Sequence, residues 1–198
     1  MGTNLDEFDS YKSEFCKDEN VIKLAYIGTL GASYNINLIT EAVNQLKEKY
    51  NIKFIVMGEG PLRQEFENYA KQLDAPCEFT GRLAYSEMVR QLTQCDIAVN
   101  PITKGSAGSI INKVGDYAAA GLPVINTQEC QEYADLLTTY NAGYNCDNTV
   151  EDVKEKIEQL INNKELRLEM GKNNRKLAED KFDRKTTYNK IVELIKSI

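Results

Sequence analysis

The sequence predicts an α/β fold, a doubly wound parallel sheet with helices gathered at its carboxy-terminal end. Three observations carry this expectation. From residue 22 onward, short apolar runs alternate with amphipathic stretches whose apolar residues fall three and four apart. Several of the runs are apolar on consecutive positions, as parallel strands covered on both faces require. Small-residue turns follow the runs, and an alternation of this length favours right-handed βαβ crossovers.

The elements follow in order. Strands are expected over residues 22–27, 53–57, 77–80, 96–99 and 123–126. Between the first two, Leu38, Ile39, Ala42, Val43 and Leu46 make one helical face, while Glu41, Gln45, Glu48 and Lys49 point to solvent. Comparable helices are expected at about 61–74, 86–94 and 109–120. After the fifth strand the chain turns helical. Val150, Val153, Ile157, Leu160 and Ile161 form one stripe, opened by a Thr149-x-x-Asp152 start that resembles a capping box. Leu166 to Phe182 predict a further helix, and Tyr188, Ile191, Val192 and Ile195 another. Residues 1–20 are polar and acidic and read as a linker, leaving 21–198 as one globular domain.

Composition excludes several classes of function. A net charge of −6 argues against general nucleic-acid binding, which needs a basic surface to neutralise phosphates. No run approaches the roughly 20 apolar residues of a membrane span, and the amino terminus has no secretory character, so a cytoplasmic setting is expected. The five cysteines, Cys16, Cys77, Cys95, Cys130 and Cys146, form no CxxC pair and read as buried or incidental thiols. Histidine is absent altogether, which removes the usual general base and the Ser-His and Cys-His nucleophile pairs.

Three turns at expected strand ends are rich in glycine: Gly28-Thr29-Leu30-Gly31, Gly58-Glu59-Gly60-Pro61 and Gly81-Arg82-Leu83. Each can be explained by tight turning alone; three at one sheet edge point to a cleft. In such sheets ligands sit at the carboxyl ends of the strands. The richest segment runs from Lys104 to Val124. A small-residue loop enters a helix at about Ser109, which would aim unpaired amides and the positive end of the helix dipole at a diphosphate. Lys113 and Asp116 are three apart and share a helix face with Asn112 nearby. They read either as a solvated ion pair or as a pair of ligand groups, with Asp116 accepting from ribose hydroxyls and Lys113 or Lys104 neutralising phosphate.

In order, the chain carries YIGTLG, FIVMGEGP, FTGRL, CDIAVNP and NKVGDYAAAGLPVINT. This order resembles the carboxy-terminal domain of family 4 retaining glycosyltransferases. The resemblance implies a Rossmann-like domain, one half of a GT-B fold. It implies binding of a UDP- or GDP-linked sugar as substrate, no cofactor and no required metal, and an acceptor-binding amino-terminal domain as partner. Residues 1–8 are similar to that family's crossover between domains. Carried over, Asp116 takes the position of the ribose-binding acid, and Arg82 lies in the turn bordering the base. Gly108, Ser109, Ile110, Ile111 and Asn112 would supply the loop around phosphates and sugar. Gly28 and Thr29 would lie beneath the diphosphate, with Gly58 and Gly60 opposite.

Two departures stand out. Gly108 occupies the place eight before Asp116 where the family keeps a second acid, and Thr29 and Tyr34 fall where it keeps basic residues. No catalytic residue is assigned, and the isolated domain is expected to be inactive. A non-catalytic nucleotide- or sugar-binding module is the alternative. A dinucleotide oxidoreductase needs GxGxxG after the first strand, which Gly28-Thr29-Leu30-Gly31-Ala32-Ser33 lacks.

Overall fold

The computed structural model describes residues 2–12, 20–186 and 188. In chain order it contains α1 (Leu5–Lys12), β1 (Ile22–Ile27), α2 (Ile36–Leu46), β2 (Ile52–Met57), α3 (Arg63–Gln72), β3 (Cys77–Gly81), α4 (Tyr85–Leu92) and β4 (Ile97–Asn100). There follow α5 (Lys113–Ala120), β5 (Val124–Asn126), α6 (Gln131–Tyr140), β6 (Gly143–Asn145), α7 (Val150–Asn162) and α8 (Lys164–Leu177), which runs into a π-helical turn at Ala178–Phe182. The expected last helix, apart from Tyr188, and Cys16 lie outside the described residues.

All six strands are parallel, in the order β3-β2-β1-β4-β5-β6. The side-chain alternation of β1 shows why both faces must be covered. Leu24 and Tyr26 join a core with α2 and α7, through Ile39, Val43, Val153 and Ile157. Ala25 and Ile27 join a second core with α5, α6 and the end of α8, through Val114, Tyr117, Leu137 and Leu177. Truncating a fully buried residue such as Leu24 or Ile39 to alanine costs about 2–5 kcal/mol.

Caps fix the helix starts. Asn35 accepts from the Leu38 amide at 3.2 Å at the head of α2. Thr149 accepts from the Asp152 amide at 3.4 Å at the head of α7, while the Asp152 carboxylate takes the Asp147 amide at 2.7 Å. The second arm of the capping box thus reaches two residues further back than the motif predicts.

Several elements depart from expectation. Within residues 1–20, α1 packs on the domain with Phe8 fully buried. The Thr3 amide donates to the Phe182 carbonyl at 2.7 Å, and the Arg184 amide donates to the Thr3 carbonyl at 3.0 Å. Helix α6 and strand β6 were not expected. The helix expected from Ser109 begins at Lys113 instead. The Ser109 carbonyl accepts from the Gln128 side chain at 2.7 Å, and a carbonyl held by a distant side chain does not start a helical ladder. Among the described cysteines, Cys77, Cys95, Cys130 and Cys146 are free thiols, buried or half-buried.

Candidate functional site

Strand order reverses between β1, which leads outward to β2 and β3, and β4, which leads to β5 and β6. The crevice at the carboxyl ends of β1 and β4 is therefore the topological switch point. Gly28 leaves β1 at φ +129°, a left-handed conformation that favours glycine. A Cβ on Gly58 would overlap the Gly28 carbonyl oxygen, and one on Gly60 the Leu30 carbonyl oxygen. The glycines after β2 thus let two turns stack backbone on backbone. Gly28 and Thr29 are exposed at the rim.

Helix α5 delivers Lys113 to this rim. Tyr117, fully buried one turn on, accepts from the Ile27 amide at 3.0 Å and ties the helix to the end of β1. The Lys113 ammonium lies 4.1 Å from the ring centre of Tyr26 and 3.9 Å from that of Tyr34. The two rings meet edge to face, 5.7 Å apart. Tyr26 is held by its hydroxyl, which donates to the Thr29 carbonyl at 2.6 Å. A Cβ placed on Gly28 would stand 3.7 Å from Lys113 Nζ. Nζ is buried and has no hydrogen-bond partner among the described residues. Burial holds the amine well below the ordinary lysine range. In its ammonium form this buried group, with three donors, two aromatic faces and no acceptor, is poised for an anion.

Asp116 turns the other way. Its carboxylate accepts from the Tyr85 hydroxyl at 3.1 Å and from the Thr3 hydroxyl at 3.3 Å. Burial raises it from 3.8 to about 6, against the opposing pull of those two hydrogen bonds. Among the described residues Asp116 and Lys113 form no ion pair, so the solvated-pair reading is replaced by two half-buried groups with separate surroundings. Asn112 is exposed beside them and makes no side-chain cap to α5.

The loop before α5 is irregular over residues 108–111, with a bend at Ser109, rather than helical. No backbone amide from Ala107 to Lys113 donates to another described group. A Cβ on Gly108 would meet nothing within 4 Å, so the place of the family's acid opens on space. Lys104 is exposed and pairs with Glu129 at 3.5 Å, and Glu129 also accepts from the Gly105 amide at 3.1 Å. Arg82 is exposed beyond β3. Lys113, Gly28 and Thr29 are brought together, the 108–112 loop leads into the same helix end, and Lys104 is tied to the turn after β5.

Sequence reasoning missed Tyr26, Tyr34, Thr3, Tyr85 and Gln128. Tyr26 sits in an apolar run and reads as core, which it also is. The other four carry no local pattern, and the groups they meet at the site, Lys113, Asp116 and Ser109, stand 19 or more residues away. A cavity of about 470 Å³ lies at the opposite end of the strands, beside Asp96, Gly121, Pro123, Arg167 and Arg175. It faces the amino ends of β4 and β5, away from the switch point.

A six-stranded parallel sheet with helices on both faces and a crevice at its switch point defines a Rossmann-like α/β protein. Residues 7–177 match the family Glycosyl transferases group 1, and the chain belongs to it. It is 26% identical over 174 residues to the uncharacterized glycosyltransferase MJ1178 of Methanocaldococcus jannaschii, covering 87% of this chain and 46% of that protein. The chain spans about half the length of the curated relatives it matches. Among solved structures, the fold is similar to Anabaena HepE in complex with UDP-glucose, with a TM-score of 0.82 at 15% identity over 100% of this chain and 56% of that one. It is also similar to the C-terminal domain of a glycosyl transferase group 1 family protein from Francisella tularensis, with a TM-score of 0.69 at 20% identity over 92% and 100% of the two chains. No helix among the described residues is long and apolar enough to cross a membrane.

Proposed function

We propose that this chain is the nucleotide-sugar-binding domain of a retaining glycosyltransferase. The observation that carries the reading is the unpartnered Lys113 amine caged by Tyr26 and Tyr34 beneath Gly28. It supplies, from helix α5, the positive charge that Thr29 and Tyr34 do not. The diphosphate of the donor lies over Gly28 and the amides of 108–112, with Lys113 beneath it. Asp116, exchanging the Tyr85 and Thr3 hydroxyls for those of the ribose, takes the place that the resemblance gives it, and Arg82 borders the base. Support for a uridine nucleotide comes from the UDP-glucose bound by the Anabaena neighbour.

The chemistry asked of these residues is electrostatic. The bond from the anomeric carbon to the diphosphate breaks, an oxocarbenium-like centre forms, and an acceptor hydroxyl adds on the same face, its proton passing to the departing phosphate oxygen. Charge accumulates on the leaving phosphate, where prearranged amides and an ammonium stabilise it most. No metal is assigned a part. The acceptor, a glycan or lipid-linked sugar, is bound by a second, amino-terminal domain, in keeping with relatives about twice as long. This domain alone binds donor and transfers nothing, and the whole protein works in the cytoplasm or at the inner membrane face. Gly108 in place of an acid favours a second reading, a binding module without transferase activity.

Titration calorimetry with UDP-, GDP- and ADP-sugars tests the donor site. Binding of one of them in the micromolar to submillimolar range is expected, weakened in Lys113→Ala and Asp116→Ala. A folded chain that binds none below millimolar concentration removes the assignment.

A further inference from the structure

Strands β4, β5 and β6 each end in an asparagine, and the three stand in register, Asn100 beside Asn126 and Asn126 beside Asn145. Their side chains form a ladder. Asn100 Nδ2 donates to Asn126 Oδ1 at 2.8 Å, and Asn126 Nδ2 donates to Asn145 Oδ1 at 2.9 Å. Gln128 caps it: its amide donates to Asn126 Oδ1 at 3.2 Å, and its Oε1 accepts from Asn100 Nδ2 at 3.2 Å. Asn100, Asn126 and Gln128 are buried. A buried amide network is costly when incomplete, and the Asn100 Oδ1 has no partner among the described residues. Core packing alone is served better by apolar side chains.

The network ends on the loop. Gln128 Nε2 donates to the Ser109 carbonyl at 2.7 Å and to the Ala107 carbonyl at 3.3 Å. The peptide bonds are trans. In a planar trans peptide the N–H points opposite to the C=O of the same unit. Holding the Ala107 and Ser109 carbonyls toward Gln128 therefore turns the Gly108 and Ile110 N–H groups away from it, to the open side of the loop. Neither N–H has a described partner.

We propose that Gln128, aligned by the Asn100–Asn126–Asn145 ladder, is a positioning residue that aims the Gly108 and Ile110 amides at the phosphates of a nucleoside diphosphate sugar. This rests on the donor-site reading above. It assigns to the turn after β5 a task that the family resemblance gives only to the loop.

The test compares UMP, UDP and UDP-glucose by calorimetry on the wild type and on Gln128→Met, which keeps length and loses both donors. Two misaimed amide bonds predict UDP and UDP-glucose binding about tenfold weaker, with UMP within about twofold. Equal weakening of all three, or no change, overturns the proposal. Should Gln128→Met fail to fold, the wild type decides by NMR. On adding UDP-glucose the Gly108 and Ile110 amide protons shift downfield and the Ser109 proton does not; the reverse pattern overturns the proposal. A wild type that binds none of the three ligands, and none of their GDP and ADP counterparts, removes the donor-site reading and this inference together. A wild type that binds UDP-glucose while Gln128→Met binds it equally well removes this inference alone.

Discussion

Replacing Lys113 by methionine separates function from stability, because the cage that suits an anion costs the free protein. The methionine keeps the aliphatic stem between Tyr26 and Tyr34 and deletes a buried amine without a partner. An unsatisfied buried donor costs about 1–3 kcal/mol. Allowing for the lost aromatic contact, Lys113→Met gains about 1–2 kcal/mol. At about 2–4 °C per kcal/mol for a chain of this size, Tm rises by about 2–8 °C. The donor loses a charge-assisted hydrogen bond worth about 1.5–3 kcal/mol, so the Kd for UDP-glucose rises about ten- to hundredfold. The pH dependence fixes the sign independently. Burial lowers the amine below its ordinary 10.5, so between the lowered value and 10.5 the unfolded chain binds the extra proton. Wild-type stability rises with pH across that window, and the variant lacks this rise. Urea unfolding from pH 7 to 10 and calorimetry read both effects. A variant that is less stable yet binds UDP-glucose normally would refute the reasoning.

Asp116 gives the opposite slope, and Asp116→Asn removes it. The folded carboxyl is raised from 3.8 to about 6, so its contribution is present below about pH 4 and is lost as pH rises through about 6. Urea unfolding between pH 4 and 7 should show this fall in the wild type and not in the variant. Gly58→Ala places a Cβ on the Gly28 carbonyl and is expected to lower stability by about 1–3 kcal/mol, seen as a lower Tm. Thr149→Ala removes the α7 cap far from the crevice. It should cost about 1 kcal/mol in unfolding experiments and leave nucleotide affinity unchanged.

The sheet was legible because β1, β2 and β4 are apolar on consecutive positions, which only a doubly covered parallel strand needs. Strand β6 was not, since Gly143, Tyr144 and Asn145 are three partly exposed residues placed by pairing with β5. Helix α1 hid in an acidic stretch whose buried Leu5 and Phe8 make too short a stripe to stand out. At the crevice, spacing put Lys113 and Asp116 on one helix but could not say that one enters a tyrosine cage from β1 and the other meets Thr3 and Tyr85. The start of α5 was misplaced for a related reason. Ser109 and the small residues before it look like a helix entrance, yet the hydrogen bond that holds the Ser109 carbonyl comes from Gln128, 19 residues away. Non-local contacts of this kind leave no periodic trace.

A crystal structure of this chain with UDP-glucose tests the central claim most directly. The diphosphate is predicted within hydrogen-bond distance of Lys113 Nζ, over Gly28 and facing the 108–112 loop. A donor seated instead in the cavity beside Gly121, Arg167 and Arg175 would contradict it.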